Sequence, residues 1–393
     1  MKKYAYIGGL GFLAVITTEF GVIGILPQVA HHYKISIDQA GYLLGAFALV
    51  IALTGPAMTL LLSGYDRKKV MLVAISLFLI TGIISFLSPP FWLLLLVRIL
   101  PAFLQPVYIA TALAVSVSGA DKARENELMS IVFSGVAIAM VSTVPLATWI
   151  ASFSSWQFSF AVQAIVSTIA LIAIYLGLPS MPVTERRSYG SALSILTRPV
   201  FIVSTAMNFF MITAWFATYG YFAEYLIKAK QMDEIMVSYM LLLFGIMGVV
   251  ANWGAGKMLN KNVAATTAIF LSGTIIVPVL LHFSGADTIS TWVVIALWGL
   301  FYSPSFLNAS TYMISAAPDS LEFANSLATS FGNLGVTLGT AVGGWIIVTY
   351  GAEYSPWVTV IFGALAFTMM LLRRVLEQRV AAPSRNEGKV ERV

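Results

Sequence analysis

The sequence predicts an all-helical membrane protein whose chain crosses the bilayer twelve times. Apolar residues make up 59% of its 393 residues and charged residues only 10%, and the mean hydropathy is +0.88. Soluble domains contain roughly 45–50% apolar and about 25% charged residues. The polar stretches between the apolar runs are too short to fold as a separate domain outside the bilayer.

Twelve apolar runs of about 20 residues give the predicted spans, because a helix of that length crosses the hydrocarbon core. The predicted spans are residues 5–28, 40–63, 70–88, 91–118, 127–150, 156–178, 200–223, 236–258, 263–283, 290–314, 323–349 and 355–376. The first run exceeds the roughly 7–15 apolar residues of a cleavable signal peptide. We therefore expect it to be retained as the first span.

The longest polar connection, residues 179–199, divides the chain into two sets of six spans. We expect an N-terminal six-helix bundle at 1–178, a cytoplasmic linker at 179–199, a C-terminal six-helix bundle at 200–378 and a cytoplasmic tail at 379–393. A weak internal repeat supports this division, since Ile16–Gly24 and Ile212–Gly220 share four identities in nine positions. The sequence thus predicts two pseudo-symmetric bundles with a substrate site between them near the midplane.

The basic residues lie mainly in short loops and predict the orientation of the chain. With a cytoplasmic N-terminus, 18 of the 22 Lys and Arg fall on the cytoplasmic side, as the positive-inside rule requires. Both termini are then cytoplasmic. The charge forms no basic domain, so we expect no nucleic-acid partner. With no Cys and only three His, we expect no metal site and no cofactor.

Glu19 and Arg98 are the charged residues that lie deepest inside predicted spans. A charge at that depth is costly unless it is paired, protonated or facing water. At a rise of 1.5 Å per residue, Glu19 lies roughly 13 Å and Arg98 roughly 10 Å below the same outer surface, so they can meet. In the functional interpretation, Glu19 binds a proton, and burial and the approach of Arg98 control that binding. In the alternative, the two form a permanently ionised bridge between spans one and four.

Amide and aromatic side chains line one face of several other spans at helical spacing. The candidate substrate-binding residues are Gln105 and Tyr108 in span four, Asn208, Trp215 and Tyr219 in span seven, Trp298, Tyr302 and Asn308 in span ten, and Asn333 in span eleven. Such walls suit an amphipathic or neutral organic molecule. The alternative is that these groups tie helices together and fill the core.

Small and helix-perturbing residues are concentrated in spans five and eleven. Gly135 and Pro145 lie in span five, and Gly335 and Gly339 lie in span eleven. Small residues let membrane helices approach closely and slide against each other. We interpret these four residues as gating or hinge positions, with static close packing as the alternative.

Several stretches together carry a resemblance to a known family. They are Thr18–Pro27, Asp66–Lys69, Arg98, Pro145 with Trp156 and Phe160, Trp215–Phe222, and Ala317–Asp319. With them, nearly the whole chain resembles the major facilitator superfamily, specifically the twelve-span drug:proton antiporter branch with its bacterial sugar, purine-nucleoside and drug efflux permeases. The resemblance implies proton coupling by Glu19 and Arg98, and a cytoplasmic latch at Asp66 and Arg67.

The resemblance implies a secondary transporter of a bacterial cytoplasmic membrane that exports small drug-, sugar- or nucleoside-like molecules in exchange for protons. We expect a monomer with protons, substrate and lipid as partners. A uniporter or proton-symport importer of the same fold is the alternative. A membrane-embedded enzyme or a channel is more remote, and Gly254–Lys257 lacks the leading glycine and the following Ser or Thr of an ATP-binding P-loop.

Overall fold

The computed structural model of the chain is helical almost throughout, and it describes residues 2–183, 190–285 and 288–390. The helices of the first half are α1 Lys2–Phe20, α2 Leu26–Tyr33, α3 Ile37–Leu62, α4 Arg67–Phe86, α5 Phe91–Ile99, α6 Gln105–Ser116, α7 Lys122–Val141, α8 Thr143–Phe153 and α9 Gln157–Gly177. Those of the second half are α10 Pro199–Tyr219, α11 Phe222–Lys230, α12 Glu234–Lys261, α13 Val263–Phe283, α14 Thr288–Tyr302, α15 Ser305–Ile314, α16 Leu321–Tyr350 and α17 Ser355–Val390.

Eleven helical segments among the described residues are long and apolar enough to cross a membrane. They correspond to predicted spans two to twelve. The first predicted span differs, because α1 has 19 residues and contains Lys2, Lys3 and Glu19, which makes it less apolar than the others. A twelfth crossing by α1 and α2 therefore stays a prediction.

Five predicted spans contain an interruption of the α-helix. The interruptions coincide with glycine or proline, which weaken or block an α-helix. They follow Phe20, Ile99, Val141, Tyr219 and Tyr302, beside or near Gly21, Pro101, Pro145, Gly220 and Pro304, respectively. The first and fourth span of each half are both interrupted, which matches the internal repeat.

The described parts of the linker and of the tail contain helix. Residues 184–189, with Glu185, Arg186 and Arg187, lie outside the described residues, and Gly190–Thr197 form a 3-10 helix. Helix α17 continues to Val390, past the predicted end of span twelve at residue 376. Residues 391–393 lie outside the described part.

Helices α1 and α10 occupy equivalent central positions. Helix α1 packs against α6, α7 and α9, and α10 packs against α15, α16 and α17. Every residue from Ala14 to Leu26 is buried, as is every residue from Met211 to Ala223. The halves contact each other through α3 with α16, α12 with α7 and α8, and α2 with α11. We call the end of the molecule with Lys2 the N-terminal face and the end with α2 and α11 the distal face.

Candidate functional site

The two deeply placed charges lie where their helices stop. Glu19 is the second-last residue of α1, and Arg98 is the second-last residue of α5. The last carbonyl groups of a helix have no partner within that helix and must find one elsewhere. Arg98 supplies one, since its guanidinium donates a hydrogen bond of 2.9 Å to the Thr18 carbonyl oxygen. Ser159 supplies another, donating to the Gly21 carbonyl at 3.2 Å.

The carboxylate of Glu19 has an uncharged partner. Gln105 Nε2 donates to Glu19 Oε2 at 2.6 Å, and Glu19 is only 4% exposed. Arg98 is also buried, and its guanidinium lies over the Phe160 ring at 5.6 Å from the centroid. Both charged side chains belong to the described residues, yet no pair of their charged atoms lies within the 4.0 Å of a direct ion pair. In this conformation Glu19 and Arg98 are neighbours that bind different groups.

We call Glu19, Arg98, Gln105 and Phe160 the charged cluster. Tyr108 lies one turn after Gln105 on α6. Its hydroxyl donates to the Gly8 carbonyl oxygen of α1 at 3.1 Å, and a Cβ at Gly11 would overlap that hydroxyl. The side chain is fully buried. The Tyr108 hydroxyl therefore holds α6 against α1 in this conformation.

An aromatic cluster fills the matching region of the second half. Its members are Trp215, Phe216, Tyr219, Phe222, Phe244, Trp298, Tyr302 and Phe306. Tyr219 stacks between Trp215, at 5.3 Å between centroids, and Phe244, at 4.7 Å. Trp298 stacks on Phe222 at 5.2 Å. The structure thus brings together four of the predicted substrate-binding residues, those at positions 215, 219, 298 and 302.

The charged cluster and the aromatic cluster meet between the halves. Phe20 follows Glu19 directly, and its ring lies 5.7 Å from that of Phe216, which is next to Trp215 in the chain and in space. The end of α1 therefore contacts the last turns of α10. A movement of either helix end changes the surroundings of both clusters.

The three asparagines predicted to bind substrate are buried, and only the amide nitrogen of each side chain has a hydrogen-bond partner. Asn208 Nδ2 donates to the Ala328 carbonyl at 3.0 Å, while Asn308 and Asn333 each donate 3.0 Å bonds within their own helices. None of the three side-chain oxygens has a partner. Buried amides usually satisfy both groups. These three side-chain oxygens are therefore buried acceptors that lack a hydrogen-bond donor in this conformation.

The predicted latch residues hold the linker. The Asp66 carboxylate accepts bonds of 2.7 Å each from Ser180 Oγ and the Met181 backbone N–H. It also caps α4 by accepting from the Lys69 N–H at 3.0 Å, and the Arg67 N–H donates to the Met181 carbonyl. Burial would raise the pKa of the Asp66 carboxyl, but these hydrogen bonds keep its pKa below its ordinary value.

The predicted gating glycines lie where backbones approach closely. A Cβ at Gly135 of α7 would collide with the Gly9 carbonyl of α1. A Cβ at Gly335 or Gly339 of α16 would lie 2.7 Å from the Phe209 carbonyl or 2.6 Å from the Thr213 carbonyl, both on α10. Pro145 lies in the first turn of α8, just after the break in span five. In the first half α7 approaches α1 closely, and in the second half the equivalent helix α16 approaches α10. This arrangement fits both the sliding and the static interpretation.

Two buried polar residues, Gln163 and Arg373, were not among the site residues predicted from the sequence. Gln163 is fully buried, neither of its amide atoms has a partner, and it lies beside Gly21. A polar side chain inside an apolar run was the available signal. Arg373, expected among the cytoplasmic loop charges, is 8% exposed and donates to the Tyr312 carbonyl and to Ser204. Because Arg373 lies near the predicted end of span twelve, the sequence did not indicate that its side chain is buried.

Comparison with known proteins identifies relatives over nearly the full length. The family model of the Major Facilitator Superfamily matches residues 8–330. The inner membrane transport protein YdhP of Escherichia coli (strain K12) is 25% identical over 364 residues, which cover 92% of this chain and 94% of the relative.

Two further relatives are named "Probable sugar efflux transporter". That of Pasteurella multocida (strain Pm70) is 24% identical over 359 residues, covering 91% of this chain and 88% of the relative. That of Helicobacter pylori (strain J99) is 26% identical over 353 residues, covering 89% and 90%. A crystal structure of the nucleoside transporter NupG, in a mutant form, matches with a TM-score of 0.74 at 13% identity and covers 95% of this chain and 99% of that chain. This last likeness shows the fold.

Proposed function

The chain belongs to the Major Facilitator Superfamily, and from this premise we propose that it exports small organic molecules in exchange for protons by alternating access. The observation that carries the proposal is the contact between the end of α1, with Glu19, and the aromatic cluster of the second half. This contact gives the proton site a physical route by which to influence the substrate site.

Glu19 is the proposed proton-binding residue. A buried carboxylate inside a membrane is costly in its ionised form unless it is paired, and its bonded partner here is the neutral amide of Gln105. Arg98 is near but bound to the Thr18 carbonyl. A conformational change that moved the guanidinium from that carbonyl to the carboxylate would favour loss of the proton. Protonation of Glu19 would in this way be linked to the position of the end of α1.

The proposed substrate is an amphipathic or sugar-like molecule. Supporting features are the aromatic cluster, whose ring faces suit the apolar surfaces of organic ligands, and the free amide oxygens of Asn308 and Asn333, which can accept bonds from hydroxyl groups. The two relatives from Pasteurella multocida and Helicobacter pylori are named sugar efflux transporters. Sugars are therefore the first substrates to test.

The proposed working cycle is a rocking motion of two six-helix bundles, residues 1–178 and 200–378, joined by the linker. Both termini are proposed to be cytoplasmic, and the protein to function as a monomer. The distal face is closed in this structure by contacts between the halves. Gln28 donates to Glu234, and the Thr337 hydroxyl of α16 donates to the Gly45 carbonyl oxygen of α3 at 3.2 Å. Small residues between α3 and α16 permit this close approach.

Transport into proteoliposomes of controlled orientation tests the proposal. The purified protein is reconstituted, and uptake of labelled sugars, nucleosides and cationic drugs is measured with the lumen acidic, with the lumen alkaline and with no pH gradient. A proton-driven exporter accumulates its substrate against a gradient when protons leave the lumen in exchange. A symporter accumulates substrate when protons enter with it, and a uniporter only equilibrates it. Either of these last results would refute the antiport proposal.

A further inference from the structure

A groove lies in the outer surface between the first turns of α1 and the last turns of α9. Its walls include Lys3, Tyr6, Leu10, Ile172, Ala173 and Leu176, and it is widely open to the outside, with a volume of about 590 Å³. At its base α1 and α9 nearly touch, because a Cβ at Gly177 would collide with the Ile7 side chain. Apart from Lys3 at one end and the Tyr6 hydroxyl, the walls are apolar.

The groove opens onto a surface with the pattern of a lipid-facing helix. Ile165, Ile169, Ile172 and Leu176 are 59%, 51%, 52% and 74% exposed, and their spacing of four, three and four residues places them on one side of α9. Helix α9 is among the segments apolar enough to cross a membrane. The groove therefore opens towards the lipid-facing side of the protein.

One end of the groove is positively charged. Lys3 is exposed, and its Cε lies 3.6 Å from the Cβ position of Gly177. Lys68 donates to the Tyr175 carbonyl at 2.8 Å and so brings a second ammonium to the last turn of α9. Lys2 is neutralised by Glu127 at 2.7 Å, whereas no described carboxylate lies within 4.0 Å of Lys3. Among the residues that the structure describes, no acidic side chain lines the groove.

We propose that this groove is a binding site for one anionic glycerophospholipid. An acyl chain lies along the apolar walls from Leu10 towards Lys3, and the phosphate group lies at the Lys3 ammonium. A cation at the membrane surface attracts anionic headgroups, and an apolar channel that ends in such a cation matches the two parts of a lipid. The bound lipid fastens the first turns of α1 to α9, and α1 is the helix that ends at Glu19.

Native mass spectrometry of the purified protein, titrated with defined lipids, tests the site. The probes are phosphatidylglycerol and phosphatidylcholine with identical acyl chains. The wild type should retain one phosphatidylglycerol in preference to phosphatidylcholine. Lys3→Gln should weaken phosphatidylglycerol binding by about fivefold, the effect of one Lys near an anionic surface, and leave phosphatidylcholine binding unchanged. Ala173→Phe, which fills the groove, should weaken the binding of both lipids.

Matched variants on other parts of the surface serve as controls. Lys261→Gln removes an exposed charge from the end of α12, and Ala364→Phe enlarges an exposed residue of α17. Both should bind phosphatidylglycerol like the wild type. Equal affinities of Lys3→Gln and Lys261→Gln would refute the proposal. So would a dimer that Ala173→Phe dissociates, because the groove would then be covered by a second copy of the chain. Lys3 is exposed, so its variant keeps the test valid if Ala173→Phe does not fold.

Discussion

Glu19 is bonded to an amide, while the nearby guanidinium of Arg98 is bonded to a backbone carbonyl. Sequence reasoning could predict that these two charges lie at similar depth, because depth follows from helix rise and span direction. It could not predict Gln105 as the partner, since that contact depends on the rotation of α6 relative to α1. The same limit applies to Tyr108, whose hydroxyl donates to the Gly8 carbonyl oxygen of α1.

Gly135 allows a close contact between α7 and α1, and its replacement tests the packing of the first half. Gly135→Ala places a methyl group against the Gly9 carbonyl, so we expect destabilisation of about 1–3 kcal/mol, seen as a lower temperature of unfolding in detergent. Gly254→Ala is the matched control, because a Cβ there meets nothing within 4 Å. It should be neutral or stabilising by up to about 1 kcal/mol. Equal unfolding temperatures for the two variants would contradict the close contact.

Trp215 stacks in the aromatic cluster, and its replacement tests that cluster as part of the substrate site. Trp215→Leu removes a stacked pair and an edge contact with Phe306, so we expect substrate affinity to fall by roughly twofold to tenfold, the value of one aromatic pair. Transport assays over a range of substrate concentrations measure it. Trp253→Leu changes a tryptophan that is 70% exposed and should leave affinity unchanged. Identical affinities would remove Trp215 from the site.

Interrupted helices place the candidate site within the fold. Glu19, Arg98, Tyr219 and Tyr302 all occupy the last two residues of a helix that stops inside a predicted span. The glycines and prolines that stop these helices are visible in the sequence, so it was predictable that the helices would be interrupted. Apolarity alone nevertheless favoured continuous spans, and the exact stopping point depends on partners such as Arg98 and Ser159 that satisfy the freed carbonyls.

The start of α4 is tied to the linker by Asp66, and this contact predicts a pH-dependent stability. The pKa of Asp66 is lowered in the folded protein, so its contribution is present above the ordinary carboxyl pKa of about 4 and is lost as pH falls through the lower folded value. Asp66→Asn should therefore unfold at a lower temperature than the wild type at pH 7, with the difference shrinking near pH 3.

Asp121→Asn is the control for this experiment. Asp121 is an exposed aspartate at the start of α7 whose side chain makes no capping bond. Its replacement should not change the unfolding temperature at either pH. An Asp66→Asn difference that stays constant from pH 7 to pH 3 would show that the charge of the carboxylate does not hold the linker.

The molecule as a whole is closed at its distal face, and the predicted cycle requires this face to open. Thr337→Val removes the bond to the Gly45 carbonyl between the halves, so we expect more frequent opening, by roughly twofold to tenfold for one hydrogen bond. The chain contains no native cysteine, so a Thr340→Cys substitution provides a single thiol in the closed contact. Its rate of labelling by a membrane-impermeant maleimide should rise by that factor.

Thr267→Val controls for the loss of a threonine hydroxyl. Thr267 is fully buried and donates to the Val263 carbonyl at 2.8 Å within α13 of the second half, so its replacement should not change labelling of the cysteine at position 340. Ser36→Cys, exposed on the same face, should be labelled rapidly in every background. Equal labelling rates for Thr337→Val and Thr267→Val would mean that the contacts between the halves do not act as a gate.

The central claim about the whole protein is that Glu19 binds the proton that drives export. Glu19→Gln tests this claim most directly. In proteoliposomes, the variant should lose accumulation driven by a pH gradient but keep exchange of internal for external substrate, because a permanently neutral side chain leaves the substrate site intact. Glu224→Gln, a half-buried glutamate of α11, should retain both activities. Gradient-driven accumulation by Glu19→Gln at the wild-type rate would contradict the assignment of Glu19 as the proton site.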